Sequence, residues 1–297
     1  MQEEVNAFNI YEDVLEKCIE DLEKLARKQL KKEKYKDKIL SNIVYKVKRN
    51  ARIITEGKKE YLSQLKKHLK NQDKSVISVI VETETRCLVD TSSPFAWLVD
   101  EIGLAWDPIL DTPYIPATEI KGTVSAVLEF EDKALRNLLL GSTEKPLHKS
   151  LVDFTDAYPI EASNGTLLER DVITPIYGSK IEEHEASPTP VHFITIAPGV
   201  KFEFLIIIDK PRLNLLIRNY RENRLRGEEK ELVESIKNKL DAVRIDLNEF
   251  LEKIKEKVLK SVEKAFKVWG IGAKTSSGYG IFKLLSSGDW DEENHEN

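Results

Sequence analysis

Four of the chain's 13 glycines fall between Gly270 and Gly280, and they narrow what the end of the molecule can become. The stretch WGIGAKTSSGYGIF, residues 269 to 282, follows a long run of apolar residues at steps of three and four and leads into the strand-like YGIFKL. A helix therefore hands over to a strand through a segment in which glycine permits left-handed turns. Turns of that kind point backbone amides to one side, and a concave set of N–H groups takes phosphate. Lys274 and the hydroxyls of Thr275, Ser276 and Ser277 would add to it, with Gly278 and Gly280 shaping the loop and Tyr279 offering a stacking surface. A flexible connector is the competing reading, and these residues alone do not separate the two. A Walker loop is excluded, because it needs glycine where Val268 and Ala273 stand. A dinucleotide fingerprint needs glycine at Thr275 and a strand-to-helix order, the reverse of the order here.

Upstream, residues 1–74 are predicted to be a helical extension packed on the core, two amphipathic stripes folded as a hairpin, with Gly57 interrupting the second. The run SVISVIVETETRCL from Ser75 starts a sheet. Residues 91 to 117 read as a long irregular connection around Trp97 and Trp106, and Thr118 as the N-cap of a helix that Gly141 stops. Residues 151–158 and 167–174 suggest two strands joined by a turn at Ala-Ser-Asn-Gly, and 175–191 a polar insertion. VHFITI and KFEFLIII flank Pro198-Gly199 as strands, and an amphipathic helix runs from Glu228 to just before Gly270. The order β, α, β, β, β, β, α, β fits an α+β, ferredoxin-like or RRM-like sandwich over residues 75–285, with a polar, disordered tail at 286–297.

Charge limits how such a chain meets a polyanion. With 46 Lys and Arg against 51 Asp and Glu, the formal net charge is -5, so nucleic acid can be held only locally. Residues 1–75 carry 19 basic and 13 acidic side chains, a bias that solvated helix faces explain as well as an RNA-binding arm does. Cys18 and Cys87 form neither a disulfide framework nor a metal-binding spacing, and no cofactor is implied. The five histidines show no spacing of a zinc site or a nucleophilic triad. No apolar run is long enough for a membrane helix and the N-terminal residues lack a signal-peptide pattern, so a cytoplasmic protein with no membrane partner is expected.

A second segment, DTPYIPATEIKG, sets two prolines ahead of a helix start with Lys121 in its first turns, beside amides that attract phosphate. A merely capped helix explains it too. The two segments together, PYIP before a helix carrying Lys-Gly and the C-terminal GIGAKTSSGYG, resemble the RAMP superfamily of CRISPR proteins. Within it, ERDVITPIY from Glu169 followed by SPTPVHFITI is similar to the sixth-subunit family of the type III-B Cmr effector. Ala117 and Glu119 depart from that family's pattern, which has a glycine and a small hydroxyl residue there.

The resemblance implies a subunit that grips the backbone of a guide RNA (crRNA) towards its 3′ end, while the guide pairs with target RNA. The neighbouring subunits would be a RAMP backbone subunit and a small helical one. It implies RNA contacts at Lys121 and from Lys274 to Gly280, with Thr118 and Arg170 as further candidates, and no cleavage. Two other readings stay open. One is a metal-dependent endoribonuclease using Asp100 and Asp107 of the acidic loop. The other is a structural adaptor whose glycine loop contacts protein.

Overall fold

The computed structural model describes residues 32–91, 102–142, 149–174, 190–225 and 247–289, together with Glu16, Ile19, Glu20, Lys230, Val233 and Glu234. Most of the first predicted helix, residues 175–189 of the predicted insertion, Cys18, Trp97, Asp100, and His148, His184 and His295 lie outside the described residues.

Helix α1 spans Lys32–Asn71 without a break. Gly57 was expected to interrupt it and does not. A glycine inside a helix costs only about 1 kcal/mol, and the surrounding turns bury Ile54 and Leu62. Strand β1 (Ser75–Thr83) then enters the centre of an antiparallel sheet. Two short strands, β2 (Trp106–Asp107) and β3 (Thr112–Pro113), form a small hairpin ahead of helix α2 (Ala117–Leu140). The main sheet adds β4 (Val152–Phe154), β5 (Tyr158–Ala162), β8 (Val200–Ile208) and β9 (Phe282–Asp289). β8 pairs with β1 along its length and with β4 and β5 on its other edge, while β9 pairs with β1.

The predicted hairpin of 151–158 with 167–174 does not form. β5 pairs with β8, whereas β6 (Leu168–Ile173) pairs with β7 (Val191–Ile196) in a separate two-stranded sheet. A short helix, α3 (Lys210–Arg221), follows β8. The last α-helix among the described residues is α4 (Leu247–Lys264), which ends in a π-type turn, Ala265–Trp269. The final strand continues through Ser286 to Asp289, past the point where the tail was expected to begin, with a bulge at Leu285 opposite Ile80 and Val81.

The sheet has helices on both faces. Towards α2 and α4, Phe204 of β8 stacks on Phe266 with centroids 5.4 Å apart, and Phe266 meets Phe282 edge to face at 5.2 Å. Fully burying each such ring contributes roughly 1.5–3 kcal/mol. Towards α1, the buried Glu203 carboxylate accepts from Lys66 and Ser78. Burying a charge is tolerable only when it is paired and hydrogen-bonded. These are the features of an α+β fold built on an antiparallel sheet, with the glycine-rich segment at the junction of α4 and β9.

Candidate nucleic-acid interface

Gly270, Gly272, Lys274, Gly278 and Gly280 all have positive φ, so the loop is a chain of left-handed turns as its composition suggested. The glycines divide into two kinds. At Gly272 a Cβ would overlap the Leu88 carbonyl, and at Gly280 it would overlap the Ile271 carbonyl. The backbone runs that close because Ala273 N–H donates to Leu88 O (2.7 Å), Gly280 N–H to Arg86 O (2.8 Å) and Ile271 N–H to Gly280 O (2.9 Å). These residues form a stem welded to the segment that leaves β1. At Gly278 nothing lies within 4 Å. There the chain makes one 3₁₀ turn, Thr275–Ser277, between left-handed Lys274 and left-handed Gly278.

The stem uses its amides inside the protein, contrary to the expectation that the whole stretch forms an open cradle. At the tip, Ser277 and Gly278 donate to Lys274 O and Thr275 O. Among the described residues no acceptor is present for the amides of Lys274, Thr275 and Ser276, as expected at the opening of a helical turn. Ser276, Ser277 and Gly278 are exposed, and Lys274, half-buried, has no ion-pair partner among the described residues. The Tyr279 hydroxyl is held within the protein, donating to Asp171 on β6, and its ring is half-buried. Burial, followed by that bond to a carboxylate, pushes its pKa up to about 12.

The start of α2 is arranged differently. Thr118 is not the cap. Pro116 holds that position without a side-chain bond, and Thr118 is an exposed residue of the first turn. The Ala117 amide donates instead to Asp156 Oδ1 at 2.7 Å. Glu119 Oε1 accepts from the Asp90 amide at 2.9 Å, its Oε2 is buried, and burial raises the pKa of this carboxyl. Lys121 Nζ reaches Asp153 Oδ1 at 3.0 Å and Ser150 Oγ at 3.1 Å. Amide, glutamate and lysine are therefore all engaged by protein groups.

Strand alternation sets the direction of Arg170, since successive side chains of β6 face opposite ways. Its guanidinium turns to α1, donating to Ser41 Oγ at 2.9 Å, whereas Glu169 and Asp171 face the glycine loop. Sequence reasoning missed Arg86. Its Nε lies 3.3 Å from Glu169 Oε2 and its Nη1 3.4 Å from Asp171 Oδ2, and its side chain is 45% exposed beside the loop. The signal available was a lone arginine where β1 ends, which acquires meaning only through its distant partners.

Asp107, a candidate metal ligand, caps its own turn. Its Oδ1 accepts from Ile109 (2.9 Å) and Leu110 (3.0 Å), and its Oδ2 from the Tyr158 hydroxyl (2.9 Å). Trp106 is buried and donates to Asp111 Oδ1 at 3.1 Å, so it anchors the hairpin to the core. Among the described residues no cluster of three or more His, Cys, Asp or Glu could hold a metal ion, and no described helix is long and apolar enough to cross a membrane. Cys87 is buried, and burial pushes its thiol pKa upward.

A sheet flanked by helices, with a glycine-rich segment between the last helix and the last strand, defines the class of this molecule. The family model of the RAMP superfamily matches residues 99–283, and the chain belongs to that superfamily. Among individual proteins it is similar to the CRISPR system CMR subunit Cmr6 of Saccharolobus solfataricus (strain ATCC 35092 / DSM 1617 / JCM 11322 / P2), 38% identical over 161 residues. That match covers 54% of this chain and 55% of the relative, so the chain spans about half the length of the curated protein it matches. It is also similar to a chain of the cryo-EM structure of the Type III-B Cmr-beta bound to cognate target RNA, with a TM-score of 0.63 and 28% identity. That alignment covers 88% of this chain and 77% of the other. The resemblance carried by PYIP, ERDVITPIY and the glycine loop thus points to the same group of proteins.

Proposed function

We propose that this chain is a non-catalytic RNA-binding subunit of a type III-B CRISPR (Cmr) effector, and that the tip from Lys274 to Gly278 holds the guide-RNA backbone towards its 3′ end. A RAMP backbone subunit and a small helical subunit are its neighbours in this reading, and target RNA pairs with the guide beside it. The observation that carries the proposal is the division of the loop. A stem locked against Arg86 and Leu88 lifts a short turn with unsatisfied amides into solvent beside a half-buried lysine. That is a preformed site for a phosphodiester, which needs donors and positive charge but no base readout.

The relative's name, a Cmr6 subunit, and the similarity to a chain from a target-RNA-bound Cmr particle support placing this site in such an assembly. Lys121 is a second contact in this reading, reached by exchanging Asp153 for phosphate. The non-catalytic reading is supported at Asp107, whose two oxygens already accept three hydrogen bonds.

The test is the double variant Lys121→Ala with Lys274→Ala, assayed for guide retention and for co-purification of the assembled particle. Loss of guide binding is expected, with the salt slope falling by about 1.4, at roughly 0.7 per single-strand phosphate contact. Unchanged binding and assembly would sink the proposal. Magnesium-dependent cleavage of RNA, abolished by Asp107→Asn, would replace it with the nuclease reading.

A further inference from the structure

Resting on that RNA-binding reading, we infer that Arg86 is a further phosphodiester ligand of the loop and that Glu169 and Asp171 occupy it as internal competitors, holding RNA affinity below what the site could reach. Three observations meet here.

The first is position. The backbone carbonyl of Arg86 accepts the Gly280 amide at 2.8 Å, so its backbone is tied to the base of the loop and its side chain leaves the chain there. The second is the quality of its contacts. Charge-assisted N–H···O bonds between guanidinium and carboxylate normally measure about 2.7–2.9 Å and pair in a parallel fork. Arg86 instead makes one long bond to each of two residues, at 3.3 and 3.4 Å, while 45% of its side chain remains exposed. A guanidinium held in this way keeps donors available to a third oxyanion.

The third observation is what satisfies Asp171 without the arginine. The Tyr279 hydroxyl donates to the same Oδ2 that Arg86 approaches, and the Val172 amide donates to Oδ1 at 2.8 Å. Asp171 therefore keeps two donors when Arg86 turns towards a phosphate. The exchange leaves neither carboxylate oxygen stripped of hydrogen bonds.

The alternation of β6 explains why these groups occur together. Glu169 and Asp171 are two apart and share a face, and Arg170 between them is committed to Ser41 on α1. A carboxylate pair beside a phosphate site is unfavourable for binding by itself. Its presence on the loop-facing side sets an upper limit on affinity, which suits a subunit whose RNA must seat in one register and not stick wherever it first touches.

The experiment uses the full chain with a fluorescein-labelled single-stranded oligouridylate, titrated over a range of salt concentrations, with melting of each variant recorded. Asp171→Asn keeps an acceptor for Tyr279 and removes the charge; Glu169→Gln does the same at the other contact. Each is expected to bind about two- to fivefold tighter, the equivalent of one weak surface ion pair. Arg86→Ala is expected to bind more weakly with the salt slope reduced by about 0.7. A purely structural network gives the opposite sign for the two acidic variants, weaker binding together with lower melting, and that result, or unchanged affinity for Asp171→Asn and Glu169→Gln, overturns the inference. Lys274→Ala separates the two levels. If it weakens binding while the acidic variants do not strengthen it, only the role of Arg86 falls; if wild type shows no salt-dependent binding at all, the RNA reading falls with it.

Discussion

The glycine loop and the start of α2 carry the same local chemistry, backbone amides opening a helical turn with a lysine beside them, and the fold treats them in opposite ways. At the loop, close backbone packing consumes the stem and leaves the tip presented to solvent, with Lys274 half-buried at its base. At α2, two acidic residues from elsewhere in the chain arrive first, Asp156 taking the Ala117 amide and Asp153 taking Lys121, while the helix's own Glu119 accepts from the Asp90 amide. A phosphate-binding signature in sequence specifies donors. Whether they are available depends on which carboxylates tertiary structure brings to them.

The largest effect that would break this contrast lies in the stem. Gly272→Ala places a methyl into the Leu88 carbonyl at a φ of +92° and should lose on the order of 3 kcal/mol or more by thermal or denaturant unfolding. Gly278→Ala, at a similar φ but in open space, should lose only about 1–2 kcal/mol. Equal losses at the two positions would show that stem and tip are not distinct.

An intermediate effect is expected at Tyr279. Tyr279→Phe removes the bond to Asp171 and should cost about 1 kcal/mol near neutral pH. Because the folded-state pKa is raised from 10.0 to about 12, the tyrosine's contribution is complete below pH 10 and is lost as pH rises through 12. Unfolding followed between those values should therefore show a steeper alkaline decline in wild type than in Tyr279→Phe. The smallest effect belongs to the helix start. Asp153→Ala releases Lys121 from an exposed pair, so stability should change by less than about 1 kcal/mol. RNA affinity should rise slightly, by less than for Asp171→Asn, in the same salt titration.

Much of the frame was legible because it is local. The β-branched run of β1, the KFEFLIII of β8, the stripe of α2 and the loop's left-handed turns each announce themselves within a few residues. Helix α3 was not legible because Pro211 looks like a breaker. It sits in the first turn, where its missing N–H costs nothing, behind Asp209, which accepts the Arg212 amide at 3.0 Å. The partners of β5 and β6 escaped for another reason: adjacent strands joined by a good turn sequence pair with each other by default, and only the intervening sheet geometry sends one to β8 and the other to β7. Arg170 and Arg86 show the same limit at single residues. The first looked like an RNA ligand and faces α1, while the second carried no motif and stands at the loop.

The segment from Glu84 to Thr91 belongs to no long strand, yet it is bonded on every side. Glu84 reaches Ile281, Arg86 and Leu88 receive the loop, Cys87 exchanges both of its backbone bonds with Ile196 of β7, and Val89 accepts from Ala105. It is a shared axle between the two sheets, alongside the Tyr279–Asp171 bond and the turn that joins β7 to β8. A one-residue insertion there should therefore disturb the loop's stem and the seam between the sheets together, while leaving each sheet's own ladder whole.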